Sequence, residues 1–298
     1  MKIKIFISLI FVEIIIILFL GFKIYHKKNV LGEISINPIK KESLIFPKEG
    51  ELKYFYEPEE SYTSEGVYYH INNDRLRELK NYSTEKPQGT FRIITLGDSF
   101  TYGYLVGNEE NWPAILENII NSDKNCNLKE KIEIINLGMD GYDIEYAITR
   151  FNKRGKKYNP DLLIFLNVDF LRIRELMDKE FEDLQAAGRI KEYNMPLVFQ
   201  SYIKKNNKEK IINYQTALLK KFINENQLPI LFADVQNQKE FNQIFYSLAD
   251  NQRVFFKEII YTKEMKLPDD GHPSPFGHKI IAQEILAFLL KNHLIPCQ

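Results

Sequence analysis

Four short apolar runs alternate with helix-like segments along this chain, and that alternation limits the fold more than any other feature. Phe91–Leu96, Ile132–Leu137, Leu162–Leu166 and Ile230–Phe232 are too short for buried helices and read as strands. Between them, Trp112 to Ile120, Ile144 to Lys157 and Ile211 to Asn224 read as helices, and an amphipathic helix spans Pro275 to Asn292. Strands apolar on both faces need cover on both. The expected class is therefore α/β, a three-layer sandwich with a central, mostly parallel sheet. In such sheets ligands bind outside the carboxyl ends of the strands, which restricts where chemistry can sit.

The 298 residues suffice for one α/β domain with appendages or for two small domains. Forty basic and forty acidic residues cancel, so nothing in the charge points to a nucleic-acid partner. Cys126 and Cys297 have neither CxxC spacing nor a nearby His at ligand spacing. That leaves no zinc site and no implied cofactor, and the simplest reading of the pair is two unpaired thiols.

Ile5 to Phe22 is apolar except for Ser8, Glu13 and Gly21. As a helix it covers roughly 27 Å, close to the ~30 Å of bilayer hydrocarbon. Glu13 costs about 3 kcal/mol near the bilayer centre, whereas the apolar residues return about 0.3–0.6 kcal/mol each, so insertion wins. No small-residue cleavage pattern follows, which favours an uncleaved anchor over a signal peptide. The expected organisation is a membrane anchor over residues 1–28 and an extended arm over 29–88, with an α/β domain over 89–298. Only Asp74 to Tyr82 in the arm has any helical period. The body is expected outside the cytoplasm.

The chemistry-bearing residues fall at predicted strand ends. Gly97-Asp98-Ser99 follows the first strand, and glycine there permits a tight turn. A serine hydroxyl needs a base within hydrogen-bond reach to act as a nucleophile. Asp269-Asp270-Gly271-His272 stands just before the last helix. Asp269 is separated from His272 by two residues, so one turn can bring its carboxylate to the imidazole and orient it as base. Asn136-Leu137-Gly138, after the second strand, offers a backbone N–H for an oxyanion beside that of Ser99. Asp234 is a competing acid, and His278 falls in the first turn of the last helix.

GDSFTYG at Gly97–Gly103, Asn136-x-Gly138-x-x-Gly141, and Asp269-x-x-His272 followed by Pro-Ser-Pro resemble three signature blocks of the SGNH (GDSL-like) hydrolases. The segment Tyr69 to Arg77 is also similar to one preceding the first block in exported members. The resemblance implies a flavodoxin-like strand order and ester hydrolysis or acyl transfer without a metal. It also implies Ser99 as nucleophile, His272 as base, Asp269 as its acid, and Gly138 in the oxyanion hole. The fourth block departs: where the family has G-x-N-D, this chain has Asn167-Val168-Asp169-Phe170. Asn167 is the residue assigned to the missing oxyanion role, since an ionised Asp169 would repel the developing charge.

The leading expectation is hydrolysis of an acyl ester on an envelope carbohydrate or lipid through an acyl-serine. O-acyl transfer on a polysaccharide by the same triad is the alternative, and an anchored binding or assembly protein of this fold is the rival from another class.

Overall fold

The computed structural model describes residues 52, 56–123, 130–167, 169–235, 239–250 and 252–297. The apolar run at residues 5–22 and its expected membrane anchor lie outside the described residues. Among the described residues no helix is long and apolar enough to cross a membrane.

The described elements begin with a small antiparallel hairpin, β1 (Tyr62–Ser64) and β2 (Val67–Tyr69). The sheet comprises β3 (Thr90–Leu96), β4 (Lys131–Asn136), β5 (Leu162–Asn167), β6 (Ile230–Asp234) and β7 (Val254–Glu258), in the order β4-β3-β5-β6-β7. Every neighbouring pair in it is parallel. Counting only these five strands, the order is 2-1-3-4-5, with the reversal next to β3.

Side chains on the strands alternate faces with a period of two, and both faces are buried. Ile94, Leu96, Leu163, Phe165, Ile230 and Phe232 join one core. The helices on that side are α3 (Ile144–Arg150), α6 (Lys208–Glu225) and α7 (Lys239–Leu248). Ile93, Leu162, Ile164, Leu166, Leu231 and Ala233 face the other way, toward α2 (Trp112–Ser122) and α8 (Pro275–Lys291). This is the three-layer sandwich that the alternation of runs implies.

Local details depart from the sequence reading in three places. The helix expected over Ile144 to Lys157 stops as α-helix at Arg150, then widens into a π turn (Phe151–Gly155) and a 3-10 turn (Lys156–Tyr158). Asp74 to Tyr82 is not helical. It forms turns in which Asn72 Oδ1 accepts from the Asp74 and Leu76 amides, at 2.9 and 3.0 Å. Between β5 and α6 lie two helices, α4 (Arg174–Ala186) and α5 (Met195–Lys205), with a separate small core around Met177, Val198 and Tyr202. Their stretch is rich in charge, which hid the apolar stripe.

The arm's described part is fastened to the sheet's carboxyl side by buried polar contacts. Arg77 donates to the carbonyls of Tyr102 (2.8 Å), Gly103 and Val106, and its guanidinium lies 4.3 Å from the centre of the Tyr69 ring. Tyr82 donates to Ile134 O at 3.0 Å. Cys297 is disulfide-bonded, which corrects the reading of two unpaired thiols; the chain's other cysteine, Cys126, lies outside the described residues. Spacing in sequence carries no information on whether two cysteines meet in space, which is why the pairing was not legible.

His278 lies in the first turn of α8, fully buried, and its Nδ1 accepts the Trp112 N–H at 3.2 Å. Protonating Nδ1 would break that bond, and burial drives the ring's pKa from 6.5 to about 3. The unfolded chain therefore binds a proton that the folded chain refuses, and stability falls as pH drops from 6.5 toward 3. The expected slope from this group is about 1.4 kcal/mol per pH unit. Urea unfolding at pH 7 and pH 5 should show a loss in wild type that is about 2 kcal/mol larger than in His278→Asn. Equal losses in the two proteins would remove this explanation.

Candidate active site

β3 ends at Leu96, and Gly97 turns the chain with φ 151°. The next residue, Asp98, caps a four-residue helix, α1 (Ser99–Tyr102), by accepting the Phe100 N–H at 3.0 Å. Gly103 closes that helix in the left-handed region at φ 86°. Ser99 is thus the first residue of a helix at the carboxyl edge of the sheet, with β4 and β5 on either side of its strand. Among the described residues no hydrogen bond from the Ser99 N–H is formed.

His272 arrives from the connection between β7 and α8. Leu267 N donates to His272 O at 2.9 Å and Lys266 bridges Pro273, forming a tight loop. The loop places His272 Nε2 2.8 Å from Ser99 Oγ, although the two residues are 173 positions apart. Tyr104 and Phe100 flank the imidazole, with ring centres 4.7 and 5.4 Å away.

The acid in contact with His272 is Asp270, not Asp269. Asp270 Oδ1 lies 2.5 Å from His272 Nδ1 and also accepts the His272 backbone N–H at 2.7 Å. Asp269 sits at φ 59° in the turn that Asp270 N closes onto Leu267 O, and it is exposed. The physical reason is local. A carboxylate two residues before an amide closes an Asx turn, which brings it to the ring of the same histidine. The carboxylate three residues before is carried outward by the left-handed turn. Partial burial raises the Asp270 pKa, but the hydrogen bonds from the His272 backbone and ring outweigh it and hold the carboxyl below its usual range. With Nδ1–H given to Asp270, Nε2 is free to accept from Ser99.

The Gly138 N–H, expected to face an oxyanion, is bonded within its own turn. That N–H donates to Asn136 Oδ1 at 2.8 Å, while Asn136 Nδ2 donates to Thr101 O at 2.8 Å. Glycine is needed there for contact, because a Cβ would lie 2.5 Å from Tyr102 N and 2.6 Å from Thr101 C. Asn167 ends β5 opposite Asp234, at the same carboxyl edge as Ser99; its side chain lies outside the described residues. Asp169 bonds within its own turn: its Oδ1 accepts the Leu171 N–H at 3.0 Å, and burial raises its pKa against the pull of Arg172. Among the described residues no group of His, Cys, Asp and Glu could hold a metal ion.

Two arginines escaped the sequence reading. Arg77 covers the carbonyl end of α1, and Arg172 Nη2 bonds Asp98 Oδ2 at 2.7 Å behind the nucleophile turn. Arg77 ends the Tyr69 to Arg77 segment, but nothing in its spacing from Ser99 gave it a role, and Arg172 in sequence reads as solvated surface.

No protein-family model matches this sequence, and no curated protein sequence does. Among solved structures the chain is similar to a G-D-S-L family protein from Desulfitobacterium hafniense DCB-2, at 18% identity over 68% of this chain and 99% of that one, TM-score 0.40. It is similar to esterase EstA from Pseudoalteromonas sp., at 16% identity over 67% and 97%, TM-score 0.44. A third is the acetylxylan esterase Axe2 from Geobacillus stearothermophilus, at 15% identity over 72% and 99%, TM-score 0.44.

Proposed function

We propose that this protein is a serine ester hydrolase in which Ser99 is the nucleophile, His272 the general base and Asp270 the acid that orients it. The observation that carries the reading is the unbroken relay at the carboxyl edge: Ser99 Oγ to His272 Nε2 at 2.8 Å, and His272 Nδ1 to Asp270 at 2.5 Å. Ser99 Oγ attacks the ester carbonyl as its proton passes to Nε2. The carbonyl oxygen becomes an anion facing the Ser99 N–H, and Asn167 is the second donor we assign to it. Collapse expels the alcohol, which takes the proton from His272 and leaves an acyl-serine. Water, deprotonated by the same nitrogen, releases the acid.

The substrate in this reading is an acyl ester of an envelope carbohydrate or lipid, and the body lies outside the cytoplasm on an N-terminal anchor. The bonded Cys297 supports that compartment, since disulfides persist where the surroundings are oxidising. The test is to treat the full-length protein in detergent with an aryl phosphonate and map the adduct by mass. One equivalent on the Ser99 peptide, with turnover of an aryl acetate, is the expected result. A folded wild type that neither labels nor turns over would overturn the assignment.

A further inference from the structure

We propose that Arg172 is the positioning residue of this site, a single partly buried guanidinium that holds three carboxyl-edge loops in the register where Ser99 meets His272. The proposal rests on the serine-hydrolase reading above. Arg172 Nη2 donates to Asp98 Oδ2 at 2.7 Å, in the turn after β3, and to Tyr142 O at 2.7 Å, in the loop after β4. Arg172 itself belongs to the loop after β5, where its own N–H bonds Asp169 O at 3.4 Å. One side chain therefore ties the ends of three adjacent connections. They are the loops that carry the nucleophile, the glycine segment and the divergent fourth block.

The surroundings show why an arginine is required there. Asp98, Asp143 and Asp169 all lie near the guanidinium, and burial raises the pKa of each. Burial would also draw the proton from Arg172, but the three carboxylates outweigh it and keep the cation. Asp143 is otherwise occupied, accepting from the Tyr146 and Arg174 amides at 2.9 and 2.6 Å. The lining of a cavity of about 10 Å³, room for about one water, includes Gly97, Asp98, Asp169 and Arg172. Among the described residues Arg172 Nε is buried without a hydrogen-bond partner.

The link to chemistry runs through Asp98. Its Oδ1 caps α1 and its Oδ2 is held by Arg172, so the guanidinium fixes the cap and the cap fixes the helix that begins with Ser99. Arg77 and Asn136 hold the later carbonyls of this four-residue helix, and Asp98 holds its entry. Both bonds come from one nitrogen, Nη2, whose two hydrogens the planar guanidinium holds in fixed directions, whereas an ammonium acts as a point charge with freely turning hydrogens. Asp169 thereby has a role that needs no oxyanion contact, because it belongs to the charge balance of Arg172.

The test compares full-length wild type with Arg172→Met, Arg172→Lys and Asp98→Asn, each checked for a cooperative thermal transition. Aryl acetate hydrolysis in Arg172→Met should lose about 100-fold in kcat, the scale of an ångström-sized misplacement, with KM within about twofold of wild type. Arg172→Lys should recover about tenfold of that loss by reaching one acceptor. A crystal structure of Arg172→Met should show Ser99 Oγ moved out of hydrogen-bond range of His272 Nε2. Retained kcat, a rise in KM alone, or an unmoved Ser99–His272 pair would overturn the proposal. If Arg172→Met does not fold, Asp98→Asn decides, because asparagine keeps the cap and loses the ion pair; it should lose about tenfold in kcat at constant KM. Should wild type prove inert, the function reading fails, and the Ser99–His272 distance in the variant structure still decides the positioning role.

Discussion

Asp270→Asn should lower kcat by about 10⁴-fold, while Asp269→Asn should leave it within about threefold of wild type. The two residues are neighbours with the same side chain, so the contrast isolates geometry. Asparagine at 270 can still accept the His272 backbone N–H, now made at 2.7 Å, so the loop has no reason to open. What it loses is the charge facing Nδ1 and the control of the tautomer. Because Oδ1 makes both the backbone and the ring contact, an amide whose NH₂ faces the ring also gives up the backbone bond; Nδ1 then becomes the acceptor and Nε2 carries the proton, leaving nothing to receive that of Ser99. Asp269 is exposed at φ 59°, with no hydrogen bond to His272, and asparagine tolerates that backbone region well. Steady-state kinetics on an aryl acetate checks both. Equal losses at the two positions, or a loss only at 269, would return the acid to Asp269.

Gly97→Ala should cost about 3 kcal/mol or more in stability and about 100-fold in kcat. A Cβ at this position would stand 2.7 Å from the Leu166 carbonyl oxygen and would collide with the Thr101 side chain. Thr101 can rotate, but Leu166 cannot retreat. It is held in β5, which pairs with β3 on one side and β6 on the other. The φ of 151° adds strain for any side chain. Relief must come from the Gly97–Asp98 turn, and that turn aims Ser99. Urea unfolding together with kcat measures both consequences. A variant within about 0.5 kcal/mol of wild type would show that the turn yields freely.

The sheet was legible because its signal is physical and local. Runs such as Phe91–Leu96 and Leu162–Leu166 are apolar on both faces, and only a strand covered by helices on both sides can bury them. β7, Val254–Glu258, was not read as a strand; three apolar residues followed by Lys257 and Glu258 are a weak run, and only its pairing with β6 makes it one. Helices α4 and α5 were missed because their apolar faces meet each other in a side cluster and not the main core.

Ser99 and His272 could be read from the sequence by itself, because a glycine turn after a strand and a histidine before the last helix both point to one sheet edge. The tertiary structure alone decided the rest of the site. It selected Asp270 over Asp269 because a left-handed turn sends one of two adjacent carboxylates to solvent and folds the other back on the ring. It turned the Gly138 N–H onto Asn136 and set this glycine in close contact with α1. It placed Arg172 behind the nucleophile. Each of these depends on where a side chain points after several loops converge, and spacing along a chain does not encode direction in space.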